Sequence, residues 1–359
     1  VHLSVRLKPF ILTMKYITPI ILFIFTLTCN GQPSGDTPYL MVLNKSDHTA
    51  WQINAETGEK VKSYPTGQGP HEVAVSTDRK WAITTNYGSD EAGHTLTLIN
   101  LDKESVEKTI DLSPYTRPHG IDWFGDSRRV MVTSETKKAV LVVDVLKSRV
   151  LRALPTDQDL SHMVALTADN QGAYVTNIFS GSVSVIDLQA DSARQPTDII
   201  KTGQGTEGIE LIESTRQGWF SNRADHTISV VDLDSHQPVD TLQSPGFPIR
   251  LTASPDEQWI AATHAKSSEV AIFDTQSRQL IKRIPLKKPS DPDQQKRFIG
   301  NRFGNGAVPI GLTFSDNGKH LYISASQSDL VAVIDTDNWS LSDTIPTGTE
   351  PDGIAFFRH

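Results

Sequence analysis

Short runs of alternating apolar and polar residues, separated by turn-forming residues, repeat along most of the chain. Residues 172–188 (GAYVTNIFSGSVSVIDL) form a representative unit. Tyr174-Val175-Thr176 has the aromatic and β-branched character of a half-buried strand, Phe179-Ser180-Gly181-Ser182 supplies a turn, and Val183-Ser184-Val185-Ile186 runs back. Asp187 closes the second strand, where its carboxylate can accept a backbone N–H two residues on and pin the next turn.

The first strand of this unit recurs at 40–44, 81–86, 130–134, 219–222, 259–264 and 321–325, making seven copies. The second recurs in step, ending at Asn54, Asn100, Asp144, Asp187, Asp232, Asp274 and Asp335, and a third follows, as at 61–64 and 342–345. A fourth strand with alternating apolar residues precedes each copy, as in Val73 with Val75, Ile121 with Trp123, and Ile354 with Phe356. Four strands in each of seven units predict an all-β, seven-bladed β-propeller over residues 38–359, with antiparallel blades whose edges are protected by ring closure. The repeat starts on a second strand and ends on a first strand. Residues 353–356 should therefore pair beside 40–43 and close the ring.

Tyr174-Val175-Thr176-Asn177 and Pro351-Asp352-Gly353-Ile354-Ala355 resemble, letter for letter, the repeat of the YVTN-repeat propellers, and the resemblance covers residues 38–359. It implies the propeller fold. It says little about activity, because such propellers include binding proteins and lactonase-like enzymes.

Residues 1–28 depart from the repeat. Their charges are Arg6, Lys8 and Lys15, and residues 17–27 form an apolar run shorter than the roughly 18 residues of a membrane-spanning helix, so they read as an export signal. Met14-Lys15 is a more convincing start than Val1, and residues 1–13 are expected to be an untranslated artefact of start-codon choice. Cys29, the single cysteine, follows the apolar run in a context that resembles the lipobox of bacterial lipoproteins, although Thr28 and Thr26 stand where Gly, Ala or Ser and Leu are usual. The expectation is a lipid anchor on Cys29, a tether over 29–37, and a periplasmic or cell-surface location. An ordinary secretory signal with a leftover thiol is the alternative.

Removing the three positive charges of residues 1–28 takes the formal net charge from -8 to -11, which argues against nucleic acid as a partner. The 43 glycines and prolines suit many short strands joined by turns.

Candidate chemistry follows from the repeat register. Strand direction places the start of every innermost strand around one mouth of the central channel, and the residue at that slot reads His71, His119, His162, Glu207, Ile249, Ile310 and Asp352. Asp352 closes the ring beside His71, so the mouth has an ionisable arc and an isoleucine side. Three imidazoles with carboxylates suit zinc or another divalent first-row metal, held by His71, His119 and His162. Glu207 or Asp352 would then complete the shell or act as base. The ends of the second strands, Asn44, Asn86, Ser134, Asn177, Asn222, His264 and Ala325, form a second lining layer in this reading. His264 is there either an added ligand-binding group or a surface histidine. His48, His94 and His226 are expected to be structural.

Slot spacings of 48, 43, 45, 42, 61 and 42 residues reveal one insertion, residues 286–308, with Lys287, Lys288, Lys296, Arg297 and Arg302 among its charges and Phe298 and Phe303 among its apolar residues. It is expected over the two isoleucine slots, either as a lid supplying cations or as a solvated loop. With Arg117, Tyr115 and Arg250 beside the mouth, it favours a small anionic ligand. The sharper expectation is a metal-assisted lyase or hydrolase of a lactone or sugar acid, with Arg250 and Arg302 neutralising substrate charge. A non-enzymatic surface scaffold binding a protein or polysaccharide is the competing class. No phosphate-binding glycine loop, Gly-x-Ser-x-Gly elbow, paired-cysteine motif or haem-attachment motif is present.

Overall fold

The computed structural model describes residue 2 and residues 37–191, 195–286, 297–300 and 302–359. The segment expected to be an export signal, apart from residue 2, lies outside these residues, as do Cys29, all of the expected tether but Thr37, and Lys287, Lys288 and Lys296.

Seven four-stranded antiparallel sheets make up the molecule, as the repeat predicts. The ring closes through the C-terminal strand Pro351–Arg358, which pairs with Pro38–Asn44 in the register Leu40↔Phe356, Met41↔Ala355, Val42↔Ile354. The blade containing Pro38–Asn44 is numbered 1, and the others follow in chain order.

The two middle strands of each blade are buried more completely than alternation suggests. Ala173 to Asn177 are all buried, because a neighbouring blade covers each face of the sheet. The outermost strands, such as Lys60–Pro65 and Gln237–Gln243, are largely exposed. The core accordingly lies between blades: Ile83, Leu98, Ile121, Val132 and Leu141 join blades 2 and 3, while Ile272, Phe314, Leu321 and Ile334 join blades 6 and 7. Each such burial is worth about 1.5–3 kcal/mol.

The strand-ending Asp and Asn residues pin turns as expected. Asp187 Oδ1 accepts from Gln189 N at 2.8 Å, Asp274 Oδ1 from Ser277 N at 2.6 Å, and Asn100 Oδ1 from Lys103 N at 2.9 Å.

Candidate functional site

The backbone around each slot is built the same way in all seven blades. The residue two before the slot has a left-handed φ: Gly69, Arg117, Leu160, Gly205, Phe247, Val308 and Glu350. Pairing of the innermost strand then slips by one residue across the slot, as between Pro70 and Val73 or Pro118 and Ile121. Such a bulge re-aims a side chain that regular alternation would turn toward a blade face.

The threonine of the Tyr-Val-Thr-Asn motif sets the slot's position. Thr176 Oγ1 accepts from Met163 N in its own blade at 3.1 Å and donates to the Glu207 carbonyl of the next blade at 2.7 Å. Thr133 joins Gly120 to His162 in the same way, Ser221 joins Gly208 to Ile249, and Thr263 joins Arg250 to Ile310. The glycine after several slots leaves room for this contact. A Cβ on Gly353 would lie 2.5 Å from the His71 carbonyl oxygen, and one on Gly311 2.3 Å from that of Asp352.

All seven slot residues line one cavity of about 350 Å³ at the channel mouth. The second ring of lining residues is displaced by one from its expected place. Asn86 and Asn177 point into their blades, where their Oδ1 atoms accept from Gly67 N and Ser161 Oγ at 3.0 Å. The residues just after this position, Lys45, Tyr87, Glu135, Ile178 and Arg223, line the cavity instead. A one-residue step reverses the side on which a chain presents its side chains.

His264 is corrected for the same reason. It is fully buried and stands outside the cavity wall, with Nε2 2.7 Å from Ser244 Oγ and Nδ1 3.1 Å from the Ala262 carbonyl oxygen. Burial, with a smaller contribution from Arg283, pushes its imidazole down to about 3. It replaces the blade asparagine and is neither a ligand-binding group nor a surface histidine. Tyr115 also stands outside the cavity wall, packed against the core between blades 2 and 3.

The carboxylates of the mouth are committed to cations. Glu207 Oε1 accepts from Arg250 Nη1 at 2.9 Å, and Oε2 accepts from Arg223. Burial raises the Glu207 acid, but Arg223, His162 and Arg250 together outweigh it and hold the carboxyl far below the usual range. This makes Glu207 a poor general base. Arg250 also reaches Glu72 Oε1 at 2.8 Å, so its guanidinium is neutralised by protein and is not left for substrate charge. Asp352 pairs with Lys45, with His71 Nε2 3.9 Å away.

The histidines differ sharply. His71 and His119 are pushed well down by burial, reinforced by Lys45 at His71 and by His162 at His119, so both are neutral imidazoles. Burial lowers His162 as well, but Glu135 and Glu207 reverse this and raise it. His162 Nδ1 donates to Glu135 Oε1 at 2.6 Å, and the other Glu135 oxygen accepts from Tyr87 Oη at 2.5 Å.

The metal-ligating set also changes. One ligand atom each from His119, Glu135 and His162 lie within 4.8 Å of one another. His71 is not in this group: its ring meets His119 edge-on at 4.8 Å, and its Nδ1 is 3.2 Å from the Gly69 carbonyl oxygen. His119 Nδ1, buried and without a hydrogen-bond partner, and His162 Nε2, buried 3.3 Å from Glu207 Oε1, fit a divalent first-row ion, with Glu135 as the oxygen donor. Such an ion would have to displace the proton that the raised His162 imidazole carries on Nε2 toward Glu207.

The insertion seats over the isoleucine side. Phe298 N and Ile299 N donate to the two carboxylate oxygens of buried Glu350 at 2.8 and 2.9 Å, and Arg297 pairs with Asp329. Ile299 then packs with Ile249, Ala265, Val308 and Ile310 in a small apolar cluster separate from those between blades. Arg302 is exposed on the cavity rim. Arg117, on the same cavity wall, lies over the Tyr87 ring, 4.7 Å from its centroid.

Comparison with known proteins agrees with this architecture. Residues 126–292 match the family model described as YNCE-like beta-propeller. No curated protein matches the chain. Among solved structures, a putative 6-phosphogluconolactonase from Bacteroides fragilis is similar at 15% identity and a TM-score of 0.70, over 91% of this chain and 100% of that one. Hydrazine synthase of Kuenenia stuttgartiensis is similar at 17% identity and a TM-score of 0.64, over 81% and 96%. Dihydro-heme d1 dehydrogenase NirN in complex with DHE gives 14% identity and a TM-score of 0.61, over 91% and 76%. At these identities the likeness is one of fold.

Proposed function

We propose that this YNCE-like propeller binds a small organic anion at its channel mouth. The observation that carries the reading is a charge imbalance at the cavity wall. Lys45, Arg117, Arg223, Arg250 and Arg302 face Glu135, Glu207 and Asp352, in a protein whose formal net charge is -8. The wall carboxylates are each engaged by Tyr87 and His162, by Arg223 and Arg250, or by Lys45. Among the described residues, Arg117 and Arg302 have no carboxylate partner, so a ligand's negative charge would find two uncompensated guanidiniums. Binding is favoured over turnover, because Glu207 and Arg250 neutralise each other.

Calorimetric titration of small carboxylates into the purified protein tests this. Arg302→Glu and Arg117→Glu should each weaken binding about tenfold or more, and added salt should weaken it in wild type. Unchanged affinity in both variants would remove the basis of the reading.

A metal-loaded form is the second reading, favoured by the grouping of His119, whose Nδ1 has no hydrogen-bond partner, with Glu135 and His162. Zinc would bind near 1:1 in wild type and be lost in His119→Ala. Equal, substoichiometric zinc in both would end it. Export and lipidation complete the proposal, and Cys29→Ser should move the protein from the detergent phase to the aqueous phase on partitioning.

A further inference from the structure

The composition of the cavity wall narrows the ligand class, and this step rests on the anion-binding reading. The wall has two chemically different sides. On one, Arg117 lies against the Tyr87 ring, and Arg302 lines the same cavity, so both uncompensated guanidiniums are open to one ligand. On the other, Ile249, Ile299, Ile310 and Phe303 give the cavity an apolar lining, and Leu160 and Ile178 of blade 4 add apolar lining on the far side of blade 5. Ile249, Ile299 and Ile310 come from two blades and the insertion, and they pack as one cluster. The long connection thus contributes an apolar face to the cavity, besides the rim charge of Arg302.

We infer that the ligand is an amphipathic monocarboxylate, with its carboxylate at Arg117 and Arg302 and an apolar body of about four to eight carbons on the isoleucine wall. A sugar acid or its lactone fits this wall poorly. Each of its hydroxyls that faces the apolar side would give up water without a protein partner, which costs about tenfold in affinity. The polar side offers little in exchange, since the Glu135, Glu207 and Asp352 carboxylates and the Lys45 and Arg250 cations are already paired. His119 Nδ1, without a hydrogen-bond partner, is itself buried, and His162 Nε2 faces Glu207 Oε1 at 3.3 Å. The cavity volume, at the lower end of the roughly 300–1,000 Å³ range of ligand pockets, sets the limit on body size.

A homologous series tests this inference apart from its premise. Calorimetry with acetate, butyrate, hexanoate and octanoate should show affinity rising about threefold to fourfold per methylene until the wall is filled. Gluconate, with as many carbons as hexanoate, should bind at least about tenfold more weakly. Ile299→Ser changes a residue of the insertion and leaves the blades intact. It should flatten the rise along the series relative to wild type, with a retained cooperative melt above the assay temperature as the control for folding. Gluconate binding as tightly as hexanoate, or a flat series in wild type, would overturn the inference while leaving anion binding in place. Hexanol binding as tightly as hexanoate would instead overturn the anion reading itself.

Discussion

Side chains with the same place in the repeat acquire different chemistry from their neighbours. His119 and His162 occupy equivalent slots in adjacent blades, yet one is driven neutral and the other is held toward its cation by two carboxylates. Arg250 sits one residue past its slot, where four other blades have glycine, and its side chain bridges Glu72 and Glu207. Arg250→Met should therefore cost about 3 kcal/mol of stability near pH 7, because half-buried Glu72 loses its cation and buried Glu207 keeps Arg223 but loses one of its two guanidiniums. Denaturant unfolding would measure this, and a loss below 1 kcal/mol would show that the guanidinium is not needed structurally. A second buried acid gives a pH signature. Glu210 is half-buried and accepts the Ala253 N–H. Burial, with smaller contributions from Asp122 and Glu257, pushes its carboxyl up to about 8. The folded protein keeps this proton while the unfolded chain gives it up above about pH 4.5, so stability falls as pH rises from 4.5 to 8. Glu210→Gln should match wild type near pH 4.5 and exceed it by roughly 2 kcal/mol at pH 8. A stability difference that does not change with pH would refute the assignment.

Elements place the site through three backbone devices: the left-handed residue before each innermost strand, the bulge at the slot, and the hydroxyl that ties one blade's slot to the previous blade. The glycine after the slot leaves no room for added bulk. Gly311→Ala would bring a Cβ to 2.3 Å from the Asp352 carbonyl oxygen, and it should cost about 1–3 kcal/mol and weaken ligand binding together. Gly125→Ala, whose nearest such contact is 3.6 Å and whose φ is not left-handed, should change stability by less than about 0.5 kcal/mol. Thermal melts of the two variants make the comparison. The Tyr-Val-Thr-Asn strand was legible as a strand, but the work of its threonine was not. That hydroxyl acts between blades, and nothing in the local pattern names its acceptor.

At the scale of the molecule, ring closure joins structure to site. Removing residues 351–359 deletes the innermost strand of blade 1, leaves the edge of Pro38–Asn44 open, and takes Asp352 from the mouth. The truncated protein should aggregate or lose its cooperative melt, as size-exclusion chromatography and thermal unfolding would report. A monomeric, cooperatively melting truncation would contradict this account of closure.

The chain alone determined the number of blades, the closing register and the seven slots, because short-range alternation and a repeated period carry that information. It also placed His71, His119, His162, Glu207 and Asp352 on one cavity before any coordinates. Tertiary structure decided the rest. Glu135, Tyr87, Lys45 and Arg223 lie one residue beyond the position that the repeat register marks, so only the path of the turn shows that they face the mouth. Which carboxylate meets which cation depends on contacts such as Arg250 with Glu72, 178 residues apart, and long-range pairing of this kind leaves no trace in a local pattern. The charge state of each histidine follows from those partners, and so does the division of the mouth into a cationic side and an apolar one.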